Sequence, residues 1–86
     1  MPNSPALTVI IKNKDRTFFE GQAYAISSIN DKGPFDILPQ HENFITLIKN
    51  KIIVHTTPKE KVEIQIENGL ARVSENKVDM FVNFKY

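Results

Sequence analysis

Two histidines mark the places where chemistry would have to start. His41 is followed by Glu42 in the stretch FDILPQHENFI, and His55 closes the apolar run KIIVH. A His-Glu pair opens the zinc-binding H-E-x-x-H helix, which needs a second imidazole one turn further on. Ile45 occupies that position. Three metal ligands would require Asp36 and His55 to join His41 from distant parts of the chain. Serine nucleophiles stand at Ser27, Ser28 and Ser74, but none lies in a G-x-S-x-G elbow, so a triad would need a histidine and a carboxylate brought in by the fold. The three glycines, Gly21, Gly33 and Gly69, are isolated, and no phosphate-cradling loop can be written around them. Cysteine is absent, which removes disulfides and thiolate metal sites. The expectation is a chain with no catalytic residue, no metal, no cofactor and no small-molecule ligand.

The elements that must position these residues are strands. In KVEIQIE, Val62, Ile64 and Ile66 alternate with Glu63, Gln65 and Glu67, as in a half-buried strand. Asn68-Gly69 follows and favours a two-residue hairpin turn, with LARVS as the return strand. A second turn near Glu75-Asn76-Lys77 leads into VDMFVNF, where Val78, Met80, Val82 and Phe84 share one face. LTVIIK puts Leu7, Val9 and Ile11 together. Gly21, inside TFFEGQAYAISSI, marks a bulge or a bend between sheets. NKDR, NDKGP and TTPKE read as turns, KIIVHT as a β-branched strand, and Leu38-Pro39 as a strand end. HENFITLI is compatible with a helical turn or a strand. Seven or more short strands point to an all-β sandwich or small barrel.

At 86 residues the chain is one domain, residues 1–86, too small to bury a large core without efficient packing or a partner. Its 11 basic and 10 acidic residues leave a net charge of +1, which favours no charged partner. Lysines alternate with acids, as in PKEKVE, rather than forming a basic track. An oligonucleotide-binding barrel stacking bases on Phe18, Phe19, Tyr24 and Phe35 is therefore an alternative of low weight. The start MPNSPALTVII lacks the plan of a signal peptide. The longest apolar run, AYAI, is far short of the ~20 residues of a spanning helix. No direct membrane insertion is expected.

Several strands carry a large apolar residue on the face that should meet water: Ile10, Ile53 and Phe81. Grouped on neighbouring strands, they predict a protein-docking surface. Burial of both faces in a sandwich corner would explain them equally well.

The segment GPFDILPQHENFI resembles the N-terminal β-sandwich of the epsilon subunit of F-type ATP synthase. That family carries G-x-(F/L)-G-I-L-P-G-H-A-P-(L/F), matched here at Gly33, Phe35, Ile37, Leu38, Pro39, His41 and Phe44. TVIIKNKDRTFFEGQAYAI is similar to the family's opening strand and its next step at Phe19, Gly21 and Ala23. NGLARVSENKVDMFV resembles its GGFVEVxxNKVTVLA meander at Gly69, Val73, Asn76, Lys77 and Val78. The three pieces are collinear and cover the chain from about Leu7 to Phe84.

The resemblance implies a two-sheet sandwich of about ten short strands on the central rotor. It implies a non-catalytic role, clamping the gamma subunit to the c-ring while proton- or sodium-driven rotation supports ATP synthesis. The location implied is peripheral, at the cytoplasmic face of the membrane. By position, His41 and Thr46 are expected near gamma, with Ile53 and Phe81 as the apolar part of that contact. Gly33, Pro34, Asp36, Gln40 and Glu42 are expected toward the c-ring. The L-P-x-H corner is then a contact and not a catalyst. A free-standing β-sandwich interaction module is the alternative.

Departures from the family segment are specific. Its glycine after Leu-Pro is Gln40, its Ala-Pro after histidine is Glu42-Asn43, and its glycine before Ile37 is Asp36. Many members continue into two C-terminal helices that bind ATP or inhibit hydrolysis. Those helices have no counterpart in this sequence, so neither property is expected of it.

Overall fold

Alternation of apolar and polar residues is realised throughout as extended chain. A computed structural model describes residues 6–40 and 42–84. Among the described residues there are seven strands and no helix: β1 (Leu7–Lys12), β2 (Thr17–Ala23), β3 (Ala25–Asn30), β4 (Gly33–Ile37), β5 (Phe44–Thr57), β6 (Glu60–Ser74) and β7 (Lys77–Asn83). HENFITLI, open between helix and strand, is strand from Phe44 onward.

The strands hydrogen-bond in the order β2-β1-β7-β6-β5-β3-β4. All pairings are antiparallel except β1 with β7, which run parallel with Val9 opposite Val78 and Ile11 opposite Met80. This ladder folds into two layers because β5 and β6, of 14 and 15 residues, bend together. Their pairing steps from Lys49–Asn68 to Lys51–Gln65, so β6 has one residue more than β5 at that point. Asn50 takes a left-handed φ of 74° there. Such a bulge bends a strand pair sharply.

On one side of the corner, residues 44–49 and 68–74 continue into β7, β1 and β2 as the first layer. On the other side, residues 51–57 and 60–65 continue into β3 and β4 as the second. The sandwich is thus built from nine strand segments, β5 and β6 serving both layers, where about ten separate short strands were expected. One core joins the layers. Leu7, Val9, Ile11, Val78 and Met80 from the first and Ile26, Ile37, Ile52 and Val54 from the second are fully buried in a single cluster.

Two expectations from the sequence are corrected. Asn68-Gly69 is no turn but the middle of β6, and Gly69 has no positive φ. The glycine is needed because β7 passes close by: a Cβ there would lie 2.5 Å from the carbonyl oxygen of Phe81. Asn68 is engaged sideways, its Oδ1 accepting from Asn83 Nδ2 at 2.8 Å. Gly21 marks neither a bulge nor a bend, since it pairs regularly with Val9. The break in that pair falls nearer the turn, where Ile11 faces Phe19 and Lys12 faces Thr17. The chain changes layer at Tyr24, between β2 and β3.

The remaining turns fall where turn-forming residues stand. Glu75 and Asn76, with φ of 51° and 66°, join β6 to β7 in the double left-handed geometry of a tight hairpin. Pro58-Lys59 and Asp31-Lys32 turn the β5–β6 and β3–β4 hairpins. Asn13 Oδ1 accepts from the backbone of Asp15 and Arg16 at 2.8 and 3.0 Å in the NKDR turn. Ser28, the buried polar residue of the core, gives its hydroxyl proton to the carbonyl of Lys51 at 2.8 Å. That carbonyl lies where β3–β5 pairing jumps from Ile52 to Lys49, so the hydroxyl supplies a bond the ladder skips.

Candidate interaction surface

The fold does assemble one serine, one histidine and one carboxylate. On the outer face of the second layer, Ser27 of β3 lies opposite Asp36 of β4, with His55 of β5 beside it. Ser27 Oγ donates to Asp36 Oδ1 at 2.6 Å and lies 3.0 Å from His55 Nε2. The order is wrong for nucleophilic catalysis. In a triad the carboxylate orients the imidazole and the imidazole takes the serine proton. Here the single hydroxyl proton goes to Asp36, so Nε2 must donate to Oγ. The cluster is a cross-strand hydrogen-bond bridge on regular strands, without the strained elbow that would present a nucleophile.

No group of three metal-ligating side chains occurs among the described residues. His41 lies outside the described residues.

The outer face of the first layer has a different character. Strand register sets Leu47 of β5 opposite Leu70 of β6, Leu70 opposite Phe81 of β7, and Phe81 opposite Lys12 of β1. All four point away from the core, because their neighbours Ile48, Gly69, Ala71, Met80, Val82 and Ile11 point into it. Leu47, Leu70 and Phe81 remain 67%, 40% and 50% exposed. At the usual strand spacing this row spans roughly 14 Å. Lys12 Nζ stands 5.1 Å over the centre of the Phe81 ring, a cation–π contact.

A second row lies beside it: Ile10, Asp79, Arg72 and Ile45, from β1, β7, β6 and β5 in turn. Ile45 is 63% exposed. Opposite charges thus stand next to each other between two apolar ends. Beyond the first row, a shallow groove of about 500 Å³ opens between Leu47, Leu70, Phe81, Asn83, Phe84 and Lys14. Contiguous apolar side chains rimmed by charge are the pattern of a protein-binding surface.

The expected site residues are distributed unevenly around these features. Phe81 ends the apolar row beside Lys12, and Ile10 lies in the adjacent row on the strand next to it. Ile53 lies on the outer face of the second layer, half-buried beside Ser27, so one flat partner cannot cover both Ile53 and Phe81. Thr46 sits at the rim of the first layer, its Oγ1 accepting from Asn30 Nδ2 at 3.3 Å. Gly33 (φ 113°) and Pro34 open edge strand β4, and Asp36 is held by Ser27.

Gln40 and Glu42 belong to the connection from β4 to β5, which is clipped onto the β6–β7 turn. Gln40 N donates to Asn76 Oδ1 at 2.5 Å, and Glu75 N donates to Asn43 Oδ1 at 3.1 Å. Of the aromatics considered for base stacking, the three phenylalanines are committed to packing. Phe18 packs edge-on against Phe84 at 4.8 Å, Phe35 against Phe44 at 6.3 Å, and both, with Phe19, lean on the core. Leu47, Leu70 and Ile45 were missed by the sequence reading. Their signal was the same as for Phe81, an apolar residue out of phase with the buried face, but only register shows that they meet.

Comparison with known proteins agrees with this architecture. The family model for the β-sandwich domain of the ATP synthase delta/epsilon chain matches residues 6–84. The ATP synthase epsilon chain of Corynebacterium efficiens is 25% identical over 80 residues, covering 91% of this chain and 64% of that relative. This chain therefore spans a little under two thirds of that relative's length. Among solved structures, a chain of the Euglena gracilis mitochondrial ATP synthase, in a cryo-EM structure of OSCP/F1/c-ring, superposes with a TM-score of 0.83 at 18% identity. The match covers 92% of this chain and 51% of that one. A chain of the Tetrahymena thermophila mitochondrial ATP synthase central stalk and c-ring gives a TM-score of 0.74 at 8% identity, over 90% of this chain and 63% of that one. At such identities the structural matches speak for the fold; the family model, matching nearly the whole described chain, speaks for descent. The chain belongs to the β-sandwich domain family of the ATP synthase delta/epsilon chain.

Proposed function

We propose that this chain is a non-catalytic central-stalk subunit of an F-type ATP synthase. In this reading its sandwich seats on the gamma subunit and faces the c-ring, so that ion-driven rotation is transmitted without slippage. It acts at the cytoplasmic side of the membrane as a peripheral part of the complex. Family membership supports the general role. The observation that carries the specific one is the exposed row Leu47–Leu70–Phe81 on the first layer.

A gamma-facing surface has to exclude water over a rigid area, and this row supplies apolar side chains on three adjacent strands backed by a filled core. Close-packed interiors deform little, which suits a part that passes torque on. Thr46, whose side chain points to the other face of β5, toward Asn30, takes no part in this surface, and neither does Ile53. Gln40, Glu42, Gly33, Pro34 and Asp36 fall on the loops and edge left for the ring. Each large apolar side chain fully covered by a partner contributes about 1.5–3 kcal/mol.

The test is to mix the 86-residue chain with the cognate gamma subunit and follow the pair by size-exclusion chromatography with light scattering. A one-to-one complex is expected. Separate elution at micromolar concentrations would defeat the proposal.

A further inference from the structure

The two layers have four outer edges, and three are guarded against pairing. β2 carries a register break against β1. β4 is five residues long and contains Pro34, which has no amide proton to offer a further strand. The first part of β5 is abutted by the β3–β4 region, through Asn30 and Thr46. The fourth edge is the first half of β6. Residues 60–65 pair with β5 on one side and Ile66-Glu67 lie at the bulge, whereas β7 meets β6 only from Asn68 onward. Among the described residues no strand lies along the other side. This stretch contains no proline or glycine. Its inner face is wholly apolar: Val62, Ile64 and Ile66, of which Val62 is 39% exposed and Ile64 only half-buried. Edges in natural sheets normally carry some obstacle to pairing; the obstacles here are the charges of Lys61, Glu63 and Glu67, all on the outer face.

We infer that this edge pairs, antiparallel, with the same edge of a second copy of the chain about a two-fold axis through Ile64. The sequence is self-complementary in that register. Lys61 of each copy faces Glu67 of the other, Glu63 faces Gln65, Val62 faces Ile66, and Ile64 faces itself. Opposite charges meet twice on the outer face, and only apolar side chains meet on the inner face, which extends both cores. A slip of one residue would set inward against outward side chains. Centring on Glu63 sets that carboxylate against its own copy, and centring on Gln65 sets Glu63 against Glu67. Like charges directly opposite destabilise a strand pair, so both are disfavoured. The joined second layers run unbroken from one β4 to the other. This inference rests on the β6 edge alone and is independent of the role proposed in the rotor.

Sedimentation equilibrium of the free chain from micromolar to millimolar concentration tests it. A monomer–dimer equilibrium is expected, with hydrogen-exchange protection of residues 61–67 rising with concentration. Lys61→Glu and Glu67→Lys each place like charges in both symmetric pairs and should weaken dimerisation by about tenfold or more. The double variant restores opposite charges and should return to within about threefold of the wild type. Both side chains are exposed, so circular dichroism should be unchanged in all variants. A chain that stays monomeric throughout overturns the inference. So does a dimer indifferent to either single reversal, or a double variant as weak as the singles.

Discussion

Gln40 holds a backbone conformation that costs every residue except glycine. Its φ is 67°, in the left-handed region, and its N–H is committed to Asn76 Oδ1. The β-carbon in that conformation costs roughly 1–2 kcal/mol, part of which glycine would return through its more disordered unfolded chain. Gln40→Gly is therefore expected to raise stability by about 0.5–1 kcal/mol in urea unfolding, with the backbone hydrogen bond kept. The family segment has glycine at this position, and Gln40 keeps the geometry without the residue that makes it easy. Gly69 is the opposite case, chosen for space and not for backbone freedom. Its missing side chain makes room for the Phe81 carbonyl at 2.5 Å from an ideal Cβ. Backbone cannot swing aside as a side chain can, so Gly69→Ala should lower stability by about 1–3 kcal/mol. Chemical denaturation of the two variants in parallel would show changes of opposite sign.

Single strands divide their residues between two tasks. In β7, Val78, Met80 and Val82 fill the core while Asp79 and Phe81 face outward. Met80→Ala is expected to cost about 2–5 kcal/mol, as buried large-to-small changes do; Phe81→Ala, at half exposure, should cost under about 1 kcal/mol. Thermal unfolding of both would establish which face is structural. Alternation of this kind was plain in the sequence, and so were the turns at Pro58-Lys59, Asp31-Lys32 and Glu75-Asn76, because side-chain period and turn chemistry are local. Asn68-Gly69 misled because the same dipeptide suits a hairpin turn and a close strand crossing, and only the position of β7 decides between them. The corner at Asn50 and the parallel β1–β7 pair depend on contacts distant in sequence. The row Leu47–Leu70–Phe81 was invisible for the same reason: each member could be seen as an apolar residue facing outward, but their adjacency is a property of register. Ile53 illustrates the reverse error, joined to Phe81 by residue type and separated from it by the fold.

At the scale of the molecule, one bent sheet encloses one core, and its outer faces differ in kind. The second layer shows a hydrogen-bonded polar bridge, Asp36–Ser27–His55, around a half-buried Ile53. The first shows apolar side chains in register beside paired charges. In the proposed role such a stiff body couples two other parts mechanically, and the serine–histidine–aspartate cluster, in which Asp36 and not His55 accepts the Ser27 proton, lacks the order of a nucleophilic triad. The proposed seating on the gamma subunit requires the first layer, and not the second, to be the covered side. Titration calorimetry of the cognate gamma subunit against the wild type, Phe81→Glu and Ile53→Glu decides this. A carboxylate within the row proposed to be covered should weaken binding by at least about thirtyfold, with circular dichroism unchanged. The same change at Ile53, on the opposite face, should leave affinity within about threefold of the wild type. Binding that survives Phe81→Glu and is lost in Ile53→Glu would contradict the account.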